Sequence, residues 1–155
     1  MNIFSLAGKD YRHPALSLLR LAVGFAFMAH GWAKLNRGVV GFEKLLNVLH
    51  VPLAHINSYL VPIIELLGGL AVLIGAFTAI AAIPLLLTML VAMLTIHLKL
   101  GYSAVKTIGL TADGPVFGPP GYEINLIYIT ALIVLAFVGP GTLSIDGLFY
   151  SKQRI

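Results

Sequence analysis

Residues 52–98 read PLAHINSYLVPIIELLGGLAVLIGAFTAIAAIPLLLTMLVAMLTIHL, with one carboxylate, Glu65, and no other Asp, Glu, Lys or Arg. A helix needs about 20 mostly apolar residues to cross a bilayer core. This stretch holds two such runs, about 52–77 and 79–98, parted by a turn of only a few residues. The spacing predicts an antiparallel hairpin of membrane helices. Pro62 should bend the first helix near the acid, and Gly68 and Gly69 should let a neighbouring helix approach closely.

Working outward, ALSLLRLAVGFAFMAHGWAKL at 15–35 gives a further crossing, opened by Pro14, where a missing N–H costs nothing. Another runs from about 122 to 139 and stops at Gly139-Pro140-Gly141. Between the first two crossings, GFEKLLNVLH at 41–50 places Phe42, Leu45, Leu46 and Leu49 at helical spacing, opposite Glu43, Lys44, Asn47 and His50. That pattern predicts a short amphipathic helix at the bilayer surface. The segment 99–121 carries Gly114, Pro115, Gly118, Pro119 and Pro120, and reads as a loop able to fold over one end of the bundle. The predicted fold is all-α: a polytopic membrane protein, one four-transmembrane-helix bundle over 1–155, with an interfacial helix after the first crossing.

Composition agrees. Of 155 residues 59% are hydrophobic and 10% charged, and the mean hydropathy is +0.95, far from a soluble domain. Four crossings nearly use up the length, so any chemistry must lie in the bundle, its loops or a partner. The net charge of +4 is scattered over several helix ends and forms no compact basic patch, which argues against nucleic acid. Without cysteine the chain has no disulfide, thiolate metal site or thiol relay. After the polar MNIFSLAGKDYRHP, the first apolar run is long and bulky, and is expected to be a retained helix. Four crossings put both termini on one side, with Lys9, Arg12, Lys152 and Arg154, against Lys34, Arg37, Lys44, Lys99 and Lys106 on the other. Basic residues thus do not decide the orientation; the expectation is cytoplasmic termini.

Chain direction alternates between crossings, so late positions in one helix and early positions in the next share a leaflet. At about 1.5 Å rise per residue, Glu65 falls near the midplane and His97 roughly 10 Å from it. His30, Lys34, Glu65, His97 and Glu123 then share the half opposite the termini, and Arg20 alone occupies the other. On the first crossing Arg20, Gly24, Phe27, His30, Gly31 and Lys34 fall on one broad face, expected to look inward. A charge at the bilayer centre costs at least about 2.5–3.5 kcal/mol and normally faces a partner or a wet cavity. Glu65 could pair with Arg20, His30 or Lys34. Lys34 and Glu123, near helix ends, also fit side chains reaching for the interface, His97 fits an interfacial histidine, and Arg20 a purely structural pair. Met89, Met93 and His97 fall at i, i+4 and i+8, a stripe that could hold Cu(I) or simply pack. A haem between His30 and His97 is conceivable. Carboxylate di-metal bundles carry Glu-x-x-His, which is absent, and no metal site is predicted. His13, His50 and His55 receive no role.

The segments LLRLAVGFAFMAHGWAKL (18–35), VPIIELLGGLAVLIGAFT (61–78), MLVAMLTIH (89–97) and GYEINLIYITALIVLAFVGPGTLSID (121–146) resemble the DoxX family of small bacterial and archaeal membrane proteins. The likeness spans nearly the whole chain. It rests on Arg-x9-His-Gly-x2-Lys, Glu-x2-Gly-Gly, the late His, Gly-x-Glu and a closing Gly-Pro-Gly-x-x-Ser-x-Asp; Tyr122 stands where the family often has Trp. The family is similar to subunits of a thiosulfate:quinone oxidoreductase, and other members are linked to oxidative-stress, sulfur or metal-stress settings. The resemblance therefore implies an inner-membrane oxidoreductase subunit. In it His30, Glu65 and His97 would be catalytic, and Arg20, Lys34 and Glu123 would help to line a quinone site. The chain shows no electron-donor site of its own, so a partner redox subunit or a homo-oligomer is expected. Family likeness guides fold better than substrate. A cavity that binds or moves a metal ion, proton or small solute, and a non-catalytic scaffold for partner enzymes, remain alternatives.

Overall fold

A computed structural model describes residues 12–152 of the chain. Lys9 and Arg154, two of the charges weighed for orientation, lie outside the described residues. The chain is mostly helical: α1 (Arg12–Arg37), α2 (Val39–Val48), α3 (Ala54–Ile74), α4 (Thr78–Thr95), a 3-10 turn (His97–Leu100), β1 (Thr107–Thr111), β2 (Gly114–Phe117), α5 (Glu123–Val138) and α6 (Ile145–Lys152). Three helices, α1, α3 and α4, are long and apolar enough to cross a membrane, and α5 is a fourth, shorter apolar helix.

The α3–α4 hairpin follows from its turn. Gly75 takes the left-handed conformation at φ 68°, while its N–H and that of Ala76 return to Val72 and Ala71, closing the last carbonyls of α3. The first N–H groups of α4, on Phe77 and Thr78, are satisfied from a distance by the Asp146 carboxylate at 2.7 and 2.9 Å. Asp146 N–H in turn donates to Gly75 O at 2.8 Å. The closing Gly-Pro-Gly-x-x-Ser-x-Asp segment is thus a buckle over the hairpin turn.

Helix α1 lies along α3 at backbone contact. A Cβ on Gly24 would stand 2.6 Å from Leu73 N, and one on Gly31 2.6 Å from Pro62 O. Gly69 faces the Gly24 carbonyl, while Gly68 faces the Leu85 side chain of α4. In lipid, where helices gain little by hiding apolar surface from one another, such close packing is a principal source of association. The core joins these helices to α5 through Val23, Phe27, Val72, Leu85, Leu132 and Leu135.

Two local expectations change. The 99–121 segment is not plain loop. It holds an antiparallel hairpin, Thr107–Thr111 against Gly114–Phe117, turning at Ala112-Asp113, with Gly114 opening the second strand at φ 122°. The third long helix ends at Thr95, short of 98, and His97 opens the 3-10 turn, so the methionine stripe loses its helical register before reaching His97.

Candidate ligand cavity

Where the far ends of α3 and α4 separate, they enclose with α1, α2 and α5 a cavity of about 830 Å³. From α1 come His30, Lys34 and Arg37; from α3, Asn57, Val61 and Glu65; from α5, Asn125 and Tyr128. The α4 wall includes Leu87, Thr88 and Val91, and His97 follows it from the turn. Helix α2 contributes Phe42, Leu45 and Leu46, and Leu49 follows at its C-cap, the apolar row read from its spacing.

The most buried charge lining the cavity is Glu65, only 5% exposed. Lys34 Nζ donates to both of its carboxylate oxygens, at 2.5 Å, and lies 5.3 Å from the centre of the Phe42 ring. Gly31, one turn before Lys34 on α1, brings the helices close enough for this pair, since a Cβ there would meet Leu66 N at 2.7 Å and Glu65 Cβ at 3.1 Å. An ion pair sharing a wall with a cavity keeps its charges compensated while remaining open to exchange with a ligand.

His97 Nδ1 is 2.9 Å from the Pro120 carbonyl. A carbonyl only accepts, so Nδ1 carries the hydrogen and a neutral His97 keeps Nε2 as an acceptor. This bond also ties the loop before α5 to the cavity wall. His30 is exposed and makes no hydrogen bond or ion pair among the described residues, leaving both ring nitrogens available. Asn125 Nδ2 is 3.0 Å from Met89 Sδ, and its Oδ1 has no partner among the described residues. Tyr128 is fixed by an edge contact with Phe27, ring centres 5.5 Å apart.

Of the six residues singled out in the sequence, His30, Lys34, Glu65 and His97 line this one cavity; Arg20 and Glu123 do not. Glu123 accepts the Ala104 N–H at 2.9 Å, anchoring the hairpin loop to the start of α5. Arg20, 3% exposed, donates Nη2 to Leu143 O at 3.1 Å, and Glu65 takes Lys34 rather than Arg20. A Cβ on Gly75 would overlap Arg20 Nη1, so the guanidinium is wedged against the α3–α4 turn. Asn125 and Tyr128 were not singled out; a lone amide in the apolar run of α5 was the available signal. Among the described residues no three His, Asp or Glu side chains come together.

The arrangement can hold a mostly apolar molecule with polar edges. Donors and acceptors from His30, Lys34, Glu65 and His97 border it, and aliphatic side chains make up much of the remaining wall, the usual build of a small-molecule site.

Comparison with known proteins fits this picture. An uncharacterized protein of Haemophilus influenzae is 27% identical over 146 residues, covering 93% of this chain and 97% of that protein. "Uncharacterized membrane protein Rv3486" of Mycobacterium tuberculosis is 29% identical over 138 residues, covering 86% of this chain and 80% of its own. A Bacillus subtilis protein named "Putative oxidoreductase CatD" is 26% identical over 137 residues, with 88% of each chain covered. No solved structure matches. The DoxX family model matches residues 15–98, more than half of the sequence and the part that holds His30, Lys34, Glu65 and His97, and the chain belongs to the DoxX family of membrane proteins.

Proposed function

We propose that this chain is the membrane subunit of an oxidoreductase system in the bacterial or archaeal cell membrane, and that its cavity receives the headgroup of a quinone. The observation that carries the reading is the opening of His30, Lys34, Glu65 and His97 onto one largely aliphatic cavity. The relative named as an oxidoreductase supports the reaction class. The family resemblance supports the quinone.

In this reading α5 is the fourth crossing. Its 16 residues span about 24 Å, short of a hydrocarbon core of about 30 Å, a mismatch that local thinning can absorb. Helix α2 lies at the interface, and both termini face the cytoplasm.

The residues fit such a headgroup. Its carbonyl oxygens need donors, which His30, Lys34 and protonated His97 offer, and its ring needs apolar walls, which α2 and α4 supply. A bound quinone would supply chemistry that couples a pair of electrons to a pair of protons. His30, with no competing partner among the described residues, is free to donate or accept a proton at either nitrogen. The Pro120 carbonyl orients His97 so that proton exchange falls to Nε2. Lys34 is paired with the Glu65 carboxylate, and a shift of Lys34 toward a ligand leaves that carboxylate free to accept a proton. A redox partner subunit delivers the electrons.

The test is binding by purified protein in mild detergent. A quinone at about 100 times its Kd should stabilise the fold by about 2.7 kcal/mol, with His30→Ala and Glu65→Gln abolishing the shift, and quinone should co-purify. A folded preparation that carries no quinone and whose melting no quinone changes would refute the proposal.

A further inference from the structure

The cavity is much larger than a ring requires: about 150 Å³ of apolar space suffices for benzene, against about 830 Å³ here. Leu87 and Val91, one turn apart on α4, line the cavity yet are 56% and 45% exposed. A second hollow, of about 330 Å³, runs between α4 and α5; it is lined by Ile83, Leu86, Ile133, Ala136 and Phe137 among other apolar side chains, and by Leu87 again. Leu87 therefore stands in the wall of both. From Leu87 to Ala79, at the far end of this groove, the track follows α4 for about 12 Å.

We infer that the ligand is a head-and-tail lipid: its polar head sits among His30, Lys34, Glu65 and His97, and its aliphatic tail leaves past Leu87 and Val91 to lie in the α4–α5 groove. This rests on the headgroup reading above and adds the route. The polar groups belong to the first cavity and every side chain of the groove is apolar, so the two adjoining spaces, which share Leu87, match the polarity of such a molecule along its length. Lipid tails are as apolar as leucine, so the groove gains little over the bilayer by hydrophobicity; it selects by shape and guides lateral entry.

The experiment uses the full chain in lipid nanodiscs and two quinones with the same ring, one tail-less and one with an isoprenoid tail bearing a photoreactive group. Labelling of the tailed compound should concentrate on peptides carrying Ile83, Leu87 and Phe137, and an excess of unlabelled tailed quinone should suppress it. Ile83→Trp, at an exposed groove position, should cut the preference for tailed over tail-less quinone by about tenfold, the size of an overpacked passage. Even labelling of all lipid-facing helices, or an undiminished preference in the variant, would overturn the tail route. Binding of the tail-less compound would in that case leave the headgroup reading standing, whereas binding of neither compound would remove both.

Discussion

Replacing Gly24 by alanine tests the frame on which the site rests. The new Cβ would lie 2.6 Å from Leu73 N, 2.7 Å from Leu73 Cα and 2.8 Å from Gly69 O, whereas ordinary contact begins near 3.4 Å. All three are backbone atoms of a helix, so no side chain can rotate away. Relief requires α1 and α3 to part locally by about 0.8 Å, the gap between 2.6 and 3.4 Å. A radial gap of roughly 0.5–1 Å forfeits a quarter to a half of the dispersion well for each pair affected, and overpacking generally costs about 1–3 kcal/mol. Alanine returns up to about 1 kcal/mol through helix propensity, leaving a net loss of up to about 2 kcal/mol and a deficit of about 1–3 kcal/mol against a glycine-to-alanine change that meets no neighbour. Gly41→Ala on α2 is the matched control, since a Cβ there meets nothing within 4 Å; it should be neutral or slightly stabilising. Unfolding in mixed micelles, titrated with denaturing detergent and followed by circular dichroism, reads both. Gly69→Ala pushes the same surfaces apart, against Met28 N and Gly24 O, so the double variant should lose less than the sum of the two. If Gly24→Ala proves as stable as Gly41→Ala, the close α1–α3 approach is wrong, and with it the depth at which Lys34 meets Glu65.

Other perturbations separate the site from its supports. Lys34→Met should destabilise by about 3 kcal/mol, the lower end for leaving one partner of a buried pair, and Lys34→Met with Glu65→Leu should regain much of it; equal stability of both variants and the unaltered chain in the same unfolding assay would remove the pair from the core. Asp146→Ala, which strips the cap from Phe77 and Thr78 N–H, should cost about 1–2 kcal/mol in thermal unfolding without changing quinone affinity. Glu123→Ala should speed protease cleavage between 102 and 120 by releasing Ala104 N–H, again with quinone affinity retained; a lost affinity would return Glu123 to the binding site.

Much of the frame was legible because lipid imposes simple demands. Runs of about 20 apolar residues had to be helices, the short connection at 75–77 had to make an antiparallel pair, and Gly68-Gly69 marked close contact. Alternating chain direction also brought His30, Lys34, Glu65 and His97 to one end. What was not legible depends on geometry that periodicity does not carry. Glu123 opens α5 as expected, but its carboxylate meets the backbone of Ala104, because the segment 101–104, ahead of the hairpin, folds back over the start of α5. That hairpin hid in a segment whose Gly and Pro content suggested irregular loop, although Asp113 followed by Gly114 offered a turn signal; the turn itself is Ala112-Asp113, between TIGLT and GPVF. Asp146 belonged to a recognised motif, yet its work as a remote cap needs the three-dimensional return of the chain to the α3–α4 turn.

Arg20 shows why burial of charge alone does not locate a site. It and Glu65 are nearly equally hidden, both facing the same desolvation cost in the absence of partners. Glu65 answers it with Lys34 across a wall that opens on empty volume, so a ligand can compete for the pair. Arg20 answers it with the Leu143 carbonyl alone, its Nε and Nη1 buried without a hydrogen-bond partner among the described residues, beside the segment that Asp146 fastens, and the cavity does not reach it. The same energetic argument therefore yields a fastener at one end of the bundle and a candidate binding group at the other. The adjoining void makes the difference, and only the packing of α3 against α4, closed at Gly68–Leu85 and open beyond it, decides which end receives one.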